Sequence, residues 1–443
     1  EARQALAAAG NRLLVGLITT RSPFAGPGCR WMDGLRFAGA GWRHAEFRRQ
    51  LAYGICPRRY FLKASKPADV FYLFRDTSER RAMVRRVLEG GTAGLAGEQL
   101  FGFDRLAGDH RSVDCNLRLP RVTSVAQTVQ DWKDRRHLLR TGIGLGDYCS
   151  LQAHLGLMNR AQVIVATTDN TGFPAARLKA GGWLRPPLLY VSVGLPERMK
   201  KVQEMNPAAA ERCRRQLACV DRFAAYGWEE AIWLRKWLGA DEQKVRFIPF
   251  GVDTEQWKPT GDVREEFDVV SIGNDFMRDF GLWLECARRH PAISFCMITS
   301  RECAHALENL PKNVRVQIQL PVEELRDRIA GARMVMLPVK ENTYSGATTT
   351  LLQCMSMGKA VAVSRVGAIR EGYGFEDGIH LQWMEPGSLE SMEKALLRGI
   401  GNPDLRAALG KAARQHVVER LDWKFYVARL SDVWADWVGG HPS

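Results

Sequence analysis

Short runs of four to seven residues, mostly β-branched, aromatic or otherwise apolar, recur along this 443-residue chain with helical patterns between them. Runs without polar alternation suit strands buried on both faces, and their alternation with helices is the pattern of βαβ units in parallel sheets. In the first half the runs are DVFYLF (69–74), SVDCNL (112–117), QVIVAT (162–167), LLYVSV (188–193) and DRFAAY (221–226). The series then resets with DVVSIG (268–273), SFCMIT (294–299), VRVQIQ (314–319), RMVMLP (333–338), AVAVS (360–364) and HLQWM (380–384). Between the two series KVRFIPFGVDTEQWKP (244–259) reads as a linker, with Pro249 and Gly251 marking its turn. The expected fold is therefore α/β, with two doubly wound Rossmann-like domains facing a cleft.

The boundaries that follow are a basic extension over 1–65, a first domain over 66–250, a second over 251–424, and a C-terminal helix over 425–443. That helix carries Tyr426, Leu430, Val433, Trp434 and Trp437 at three-to-four spacing, an apolar stripe suited to packing back towards the first domain. Ligands of such folds collect where the strands' carboxyl ends face a crevice, so the cleft is the expected site.

With 46% hydrophobic and 25% charged residues the chain is globular rather than broadly disordered. The net charge of +14 is uneven: residues 1–60 hold ten Arg against Glu1, Asp33 and Glu46, about half of the excess. Such an arm suits an anionic membrane surface, an acidic partner, or merely a solvated face. No recognition motif or aromatic-basic platform points to a specific nucleic acid. Ten cysteines run from Cys29 to Cys354 without a C-x-x-C pair, which reads as buried or free thiols. The run LLVGLITT at 13–20 is far short of the roughly 20 residues a membrane span needs. A cytoplasmic protein, with peripheral membrane attachment through the basic arm, is the expectation.

Chemistry concentrates in SGATTTLLQCMSMGKAVAVS, residues 345–364. Ser345, Gly346, Ala347, Thr348, Thr349 and Thr350 are small and hydroxyl-rich, follow a strand, and open a helical run. Free backbone N–H groups at such a helix start form an anion site, and Gly346 would let a diphosphate approach. Capping is the alternative use of the hydroxyls. Gly358 ends the helix before the next strand.

LLQCMSMGKAVAVS resembles the corresponding stretch of glycosyltransferase family 4, whose signature is Glu-x7-Glu followed by an apolar helix, a Gly and a Val-rich strand. Laid on that pattern the second Glu falls at Gln353 and the first at Ser345, so both acids are replaced. Gln353 keeps a carbonyl for the ribose hydroxyls; Ser345 lacks the reach and charge of the acid that contacts the donor sugar, and Glu341 is a candidate substitute. The resemblance also places Gly273, Asn274 and Arg278 on the diphosphate, with Arg278 at the family's Lys position and its fork matching phosphate oxygens. IPFGVD (248–253) is similar to the interdomain signature, Gly367-Ala368-Ile369-Arg370-Glu371 to a Gly-Gly-x-Pro-Glu stretch, and Pro403, Leu405, Arg406 and Gly410 to a structural run. Leu320-Pro321 falls where relatives place the base. In all it covers roughly 66–437 and implies a GT-B, retaining enzyme.

In the first domain the glycines at 90, 91, 94 and 97 precede a helical segment, and the resemblance makes Gly94 and Gly97 part of an acceptor loop. Thr168, Asp169 and Asn170 occupy the turn where the family often places a His. Asp169 there is a candidate to orient or deprotonate an acceptor hydroxyl, or an ordinary turn former. Glu197, Arg198 and Lys200 are further candidates beside it. Neither D-x-D nor a P-loop occurs, so charge on the leaving group would fall to Arg278 and the helix start at 346–349, with no metal or cofactor required. The implied reaction moves a hexose from UDP- or GDP-hexose to a hydroxyl acceptor, lipid-linked or in a cell-envelope glycan. The alternative is a non-catalytic sugar-nucleotide-binding scaffold or regulatory protein.

Overall fold

The computed structural model describes residues 67–107, 112–119, 124–144, 146–261, 263–275, 277–305, 307, 309–344 and 346–438. The chain divides into two units, Glu1–Tyr60 and Phe61–Ser443. The basic extension and Ser345 lie outside the described residues.

Two six-stranded sheets, all parallel where paired, form the second unit. The first comprises β1 (Val70–Leu73), β2 (Val113–Cys115), β3 (Val163–Ala166), β4 (Leu188–Ser192), β5 (Arg222–Ala225) and β6 (Val245–Phe247), in the order β2-β1-β3-β4-β5-β6. The second comprises β7 (Phe267–Ile272), β8 (Phe295–Thr299), β9 (Val314–Ile318), β10 (Ala332–Leu337), β11 (Val361–Ser364) and β12 (Gln382–Met384), in the order β12-β11-β10-β7-β8-β9. Central strands such as β1, β3 and β8 are buried at every position because helices cover both faces of each sheet. At the edge, β9 carries Arg315 and Gln317 and is only half-buried. Among the described residues no helix is long and apolar enough to cross a membrane.

One element departs from the sequence expectation. The segment read as linker contributes β6, which pairs with β5 from Phe223↔Val245 to Ala225↔Phe247. Three residues, with Arg246 at the centre and only Val245 fully buried, are too short and too polar to stand out as a run. Sheet pairing supplies the definition that the local pattern lacks.

Beyond β6 the chain crosses to the second domain under the helix Trp423–Trp434. Val252 N donates to Leu421 O and Trp423 N to Val252 O, at 3.0 and 2.8 Å. A Cβ on Gly251 would stand 2.8 Å from Tyr426 Cβ, so no larger residue fits that crossing. The helix then returns to the first domain: the hydroxyls of Tyr226 and Tyr426 meet at 2.7 Å, and Phe250 packs between their rings, 4.8 and 5.2 Å away centroid to centroid. Further on, Arg222 pairs with Asp436 and lies 4.4 Å from the Trp437 ring centre. Aromatic contacts and a buried hydroxyl pair thereby join the two domains.

Candidate functional site

In each sheet the strand order reverses once, and loops on either side of a reversal leave a crevice at the strands' carboxyl ends. The second sheet reverses between β7 and β10. From β7 the chain runs through Gly273 and exposed Asn274 to Arg278, which bridges antiparallel to Val339 beyond β10. Lys340 N donates to Met277 O at 2.8 Å and Asp279 N to Pro338 O at 3.0 Å, so the two loops are stitched together. Arg278 is held beneath them, 7% exposed. Its Nε faces Asp275 Oδ2 at 3.2 Å, but neither Nε nor Nη1 makes a hydrogen bond among the described residues. Burial lowers the basicity of this guanidinium, and Asp275 and Cys354 partly restore it. A buried cation with unpaired donors costs free energy that a bound anion would recover.

Beside Arg278 the helix Thr348–Ser356 begins after Ala347, whose φ of 57° is left-handed. Ala347 at its N-cap makes no side-chain cap, so among the described residues the first N–H groups keep their capacity for an acceptor. Thr349 is exposed and Thr348 half-buried. A Cβ at Gly346 would collide with the Ile369 side chain, so packing already requires glycine there. Gln353 lies half-buried within the helix, one position before buried Cys354. Leu320 follows β9 after Gln319, which is also left-handed, and packs half-buried on the core. Glu341 accepts from Gly367 N at 3.0 Å, which ties it to the 367–371 loop.

The first sheet reverses between β1 and β3. A cavity of about 300 Å³ opens there, lined by residues following both strands: Arg75, Thr77, Glu79 and Arg80 after β1, and Thr168, Asp169 and Asn170 after β3. Gln99, Val193 and Arg198 complete it. Asp169 is 4% exposed; its Oδ1 accepts from Tyr190 Oη at 2.7 Å and from Val193 N at 3.5 Å, while Oδ2 lies 3.7 Å from Arg198. Burial raises its pKa, against the pull of Arg198 and Tyr190. Behind it Glu230, fully buried, accepts from Ser192 Oγ at 2.6 Å and Gly194 N at 3.2 Å, and burial pushes its pKa up to about 8.

Tyr344 joins the two halves. It packs 3.1 Å from where a Cβ on Gly194 would stand, and its pKa is pushed up to about 12 by burial, then by Asp275 of the second domain and Glu197 and Asp169 of the first. Glu197 also accepts from Thr343 Oγ1 at 3.0 Å and from Lys200 at 2.9 Å. Arg370 pairs with Glu229 across the same boundary.

Gly94 and Gly97 are not part of this arrangement. They line a separate hollow of about 160 Å³ with Asp104, Arg105, Asp253 and Trp423, and Trp257 Nε1 donates to the adjacent Leu95 O at 3.1 Å. Residues that sequence reasoning passed over, Arg75, Arg80, Tyr190, Glu230 and Tyr344, sit in or against the site instead. Arg75 directly follows a strand at a reversal, which is the one local cue available for it.

No family model matches the sequence. A solved structure of HepE from Anabaena, in complex with UDP and glucose, superposes with a TM-score of 0.58 at 12% identity, covering 83% of this chain and all of that one. Sucrose-phosphate synthase from Thermosynechococcus elongatus superposes with a TM-score of 0.54 at 15% identity, over 66% of this chain and 78% of its own. The chain has the GT-B fold. In sequence this GT-B chain is 22% identical over 233 residues to alpha-maltose-1-phosphate synthase of Mycobacterium tuberculosis, a match spanning 45% of this chain and 59% of that relative.

Proposed function

We propose that the chain is a glycosyltransferase moving a hexose from a nucleotide-diphosphate sugar, UDP- or GDP-linked, to a hydroxyl acceptor with retention of configuration. The observation that carries the reading is Arg278: a buried guanidinium at the strand reversal of the second domain, facing Asp275, whose Nε and Nη1 make no hydrogen bond among the described residues and on which Cys354 of the helix Thr348–Ser356 also acts. HepE, a protein of similar fold, has been solved with UDP-glucose, which supports a nucleotide sugar as donor.

On this reading the anomeric carbon–oxygen bond breaks and the bonding pair stays on the departing diphosphate. Arg278 and the N–H groups at 348–350 stabilise that charge. The acceptor oxygen bonds to the anomeric carbon on the same face, and its proton passes to the departing phosphate. Asp169, turned inward to Tyr190 and with its acidity weakened by burial, orients the acceptor hydroxyl rather than removing its proton. Thr168 and Asn170 line the same cavity and supply neutral hydrogen-bonding groups. The acceptor is a lipid-linked or cell-envelope glycan, reached from the cytoplasmic side.

Calorimetric titration with UDP, GDP, ADP and TDP tests the donor, and slow hydrolysis across a panel of nucleotide sugars tests competence. Absence of binding at millimolar concentration would remove the reading. Because Gln353 stands where the family has an acid, binding without hydrolysis or transfer would instead favour a non-catalytic nucleotide-sugar-binding protein.

A further inference from the structure

The cavity at the first domain's strand reversal holds more cations than transfer from the donor requires. Arg75, Arg80 and Arg198 all line it. Arg80 Nε is buried without a hydrogen-bond partner among the described residues, and its basicity is lowered first by burial and then by the charge of Arg75. Neighbouring Arg81 shows what satisfaction looks like: it holds both oxygens of Asp76 at 2.7 Å and donates to Leu117 O and Leu119 O. Among the described residues no carboxylate pairs in this way with Arg80, on which Glu79 acts only as a nearby charge, and Arg198 reaches Asp169 only at 3.7 Å.

Two helices also begin at this cavity. Thr77 caps Ser78–Leu88 by accepting from Arg80 N at 3.2 Å. Thr168 precedes Asp169–Ala180 without capping it, and its buried hydroxyl has no partner among the described residues. The lining carboxylates are Glu79, exposed, and Asp169, which is turned towards Tyr190 and Val193. Three guanidiniums, a hydroxyl without a partner among the described residues and two helix starts thus converge, against inward-tied Asp169, exposed Glu79 and Asp147, which acts on Arg75 from outside the lining. Like charges brought together and partly desolvated are stabilised by an anion between them, and guanidinium forks match tetrahedral oxyanions.

We propose that this cavity binds a phosphate ester, held by Arg75, Arg80 and Arg198, and that the acceptor of the transfer is a hydroxyl compound carrying that phosphate. The word acceptor rests on the glycosyltransferase reading; phosphate binding by the three arginines does not. The ester's source is a small phosphorylated hydroxyl compound or a phospholipid headgroup, which offer the same chemistry.

The test titrates the full chain with inorganic phosphate, comparing wild type with Arg80→Gln and Arg75→Gln, and with UDP as a second titrant. Phosphate should bind wild type and weaken by about tenfold or more in each variant, as for loss of one charge-assisted hydrogen bond, while UDP affinity stays unchanged. Arg75 is exposed, so its replacement keeps the test available even where Arg80→Gln fails to fold. Phosphate that does not bind, or binds all three proteins equally, overturns the proposal. Phosphate binding without UDP binding upholds this site and sinks the donor reading. Competition by a hexose monophosphate but not by the free hexose assigns the ester to a small acceptor. Competition by phosphatidylglycerol vesicles, and not by phosphatidylcholine vesicles, assigns it to a lipid.

Discussion

The guanidinium of Arg278 is pressed against the backbone of Gly273, so closely that a Cβ at 273 would collide with Nε. The glycine that closes β7 therefore exists to admit the arginine, and the two act as one device. Gly273→Ala should displace Arg278 and weaken UDP binding much as Arg278→Ala does, by about 1.5–3 kcal/mol, the range for a charged hydrogen bond. Calorimetry on both variants checks this, and wild-type affinity in Gly273→Ala would separate the pair.

Tyr190 holds Asp169 in place. Removing its hydroxyl in Tyr190→Phe leaves Asp169 with Val193 N and a distant Arg198. Stability should fall by about 1–2 kcal/mol for a buried bond to a carboxylate, read as a shift in the denaturant midpoint. Transfer should fall too, with the larger change in the acceptor KM, because Asp169 would lose its fixed orientation. An unchanged acceptor KM would show that Asp169 has no part in seating the acceptor.

Stability should decline as pH rises through the neutral range. Burial pushes the Glu230 carboxyl up to about 8 from its ordinary 4.5, so the fold favours its protonated form. That contribution is fully present below about 4.5 and is lost progressively as pH climbs to about 8, with a slope approaching about 1.4 kcal/mol per pH unit. Glu98, at about 7, and Asp147, at about 6, act in the same sense. Thermal melts of wild type and Glu230→Gln, whose amide mimics the protonated acid, should lie close together at pH 5 and separate towards pH 9, with wild type the less stable; parallel curves would show that Glu230 does not titrate there.

The C-terminal helix should be indispensable. Trp423, Tyr426, Leu430, Val433 and Trp434 are all buried. Trp434→Ala should cost about 3–5 kcal/mol, as large-to-small core changes do. Deleting 423–438 should give an aggregating chain, checked by size-exclusion chromatography; a folded monomer would mean that each domain closes its own core.

Eleven of the twelve strands could be read from the sequence: central strands such as β1, β3 and β8 are buried on both faces and so apolar throughout, while the edge strand β9 shows the alternation Val, Arg, Val, Gln, Ile. The helix start near 348 and the break at Gly358 were legible for a similar reason: they are local backbone conditions, and Gly358 has the φ of 72° that a left-handed helix end demands.

What depends on distant parts of the chain meeting was not legible. β6 exists only through its pairing with β5, and Gly346 answers to Ile369, a residue outside its own element. Gly94 and Gly97 had the composition of a ligand loop, yet folding places them against Trp257 and Trp423. Arg75 and Arg80 look like ordinary surface charges when taken one at a time, and Arg198 was legible only as a candidate beside Asp169. Strand order brings the segments after β1, β3 and β4 to one rim of the sheet, and only there do three arginines share a cavity. Local composition governs which segments are buried, whereas a site is made of side chains from separate segments, and their convergence is a property of topology.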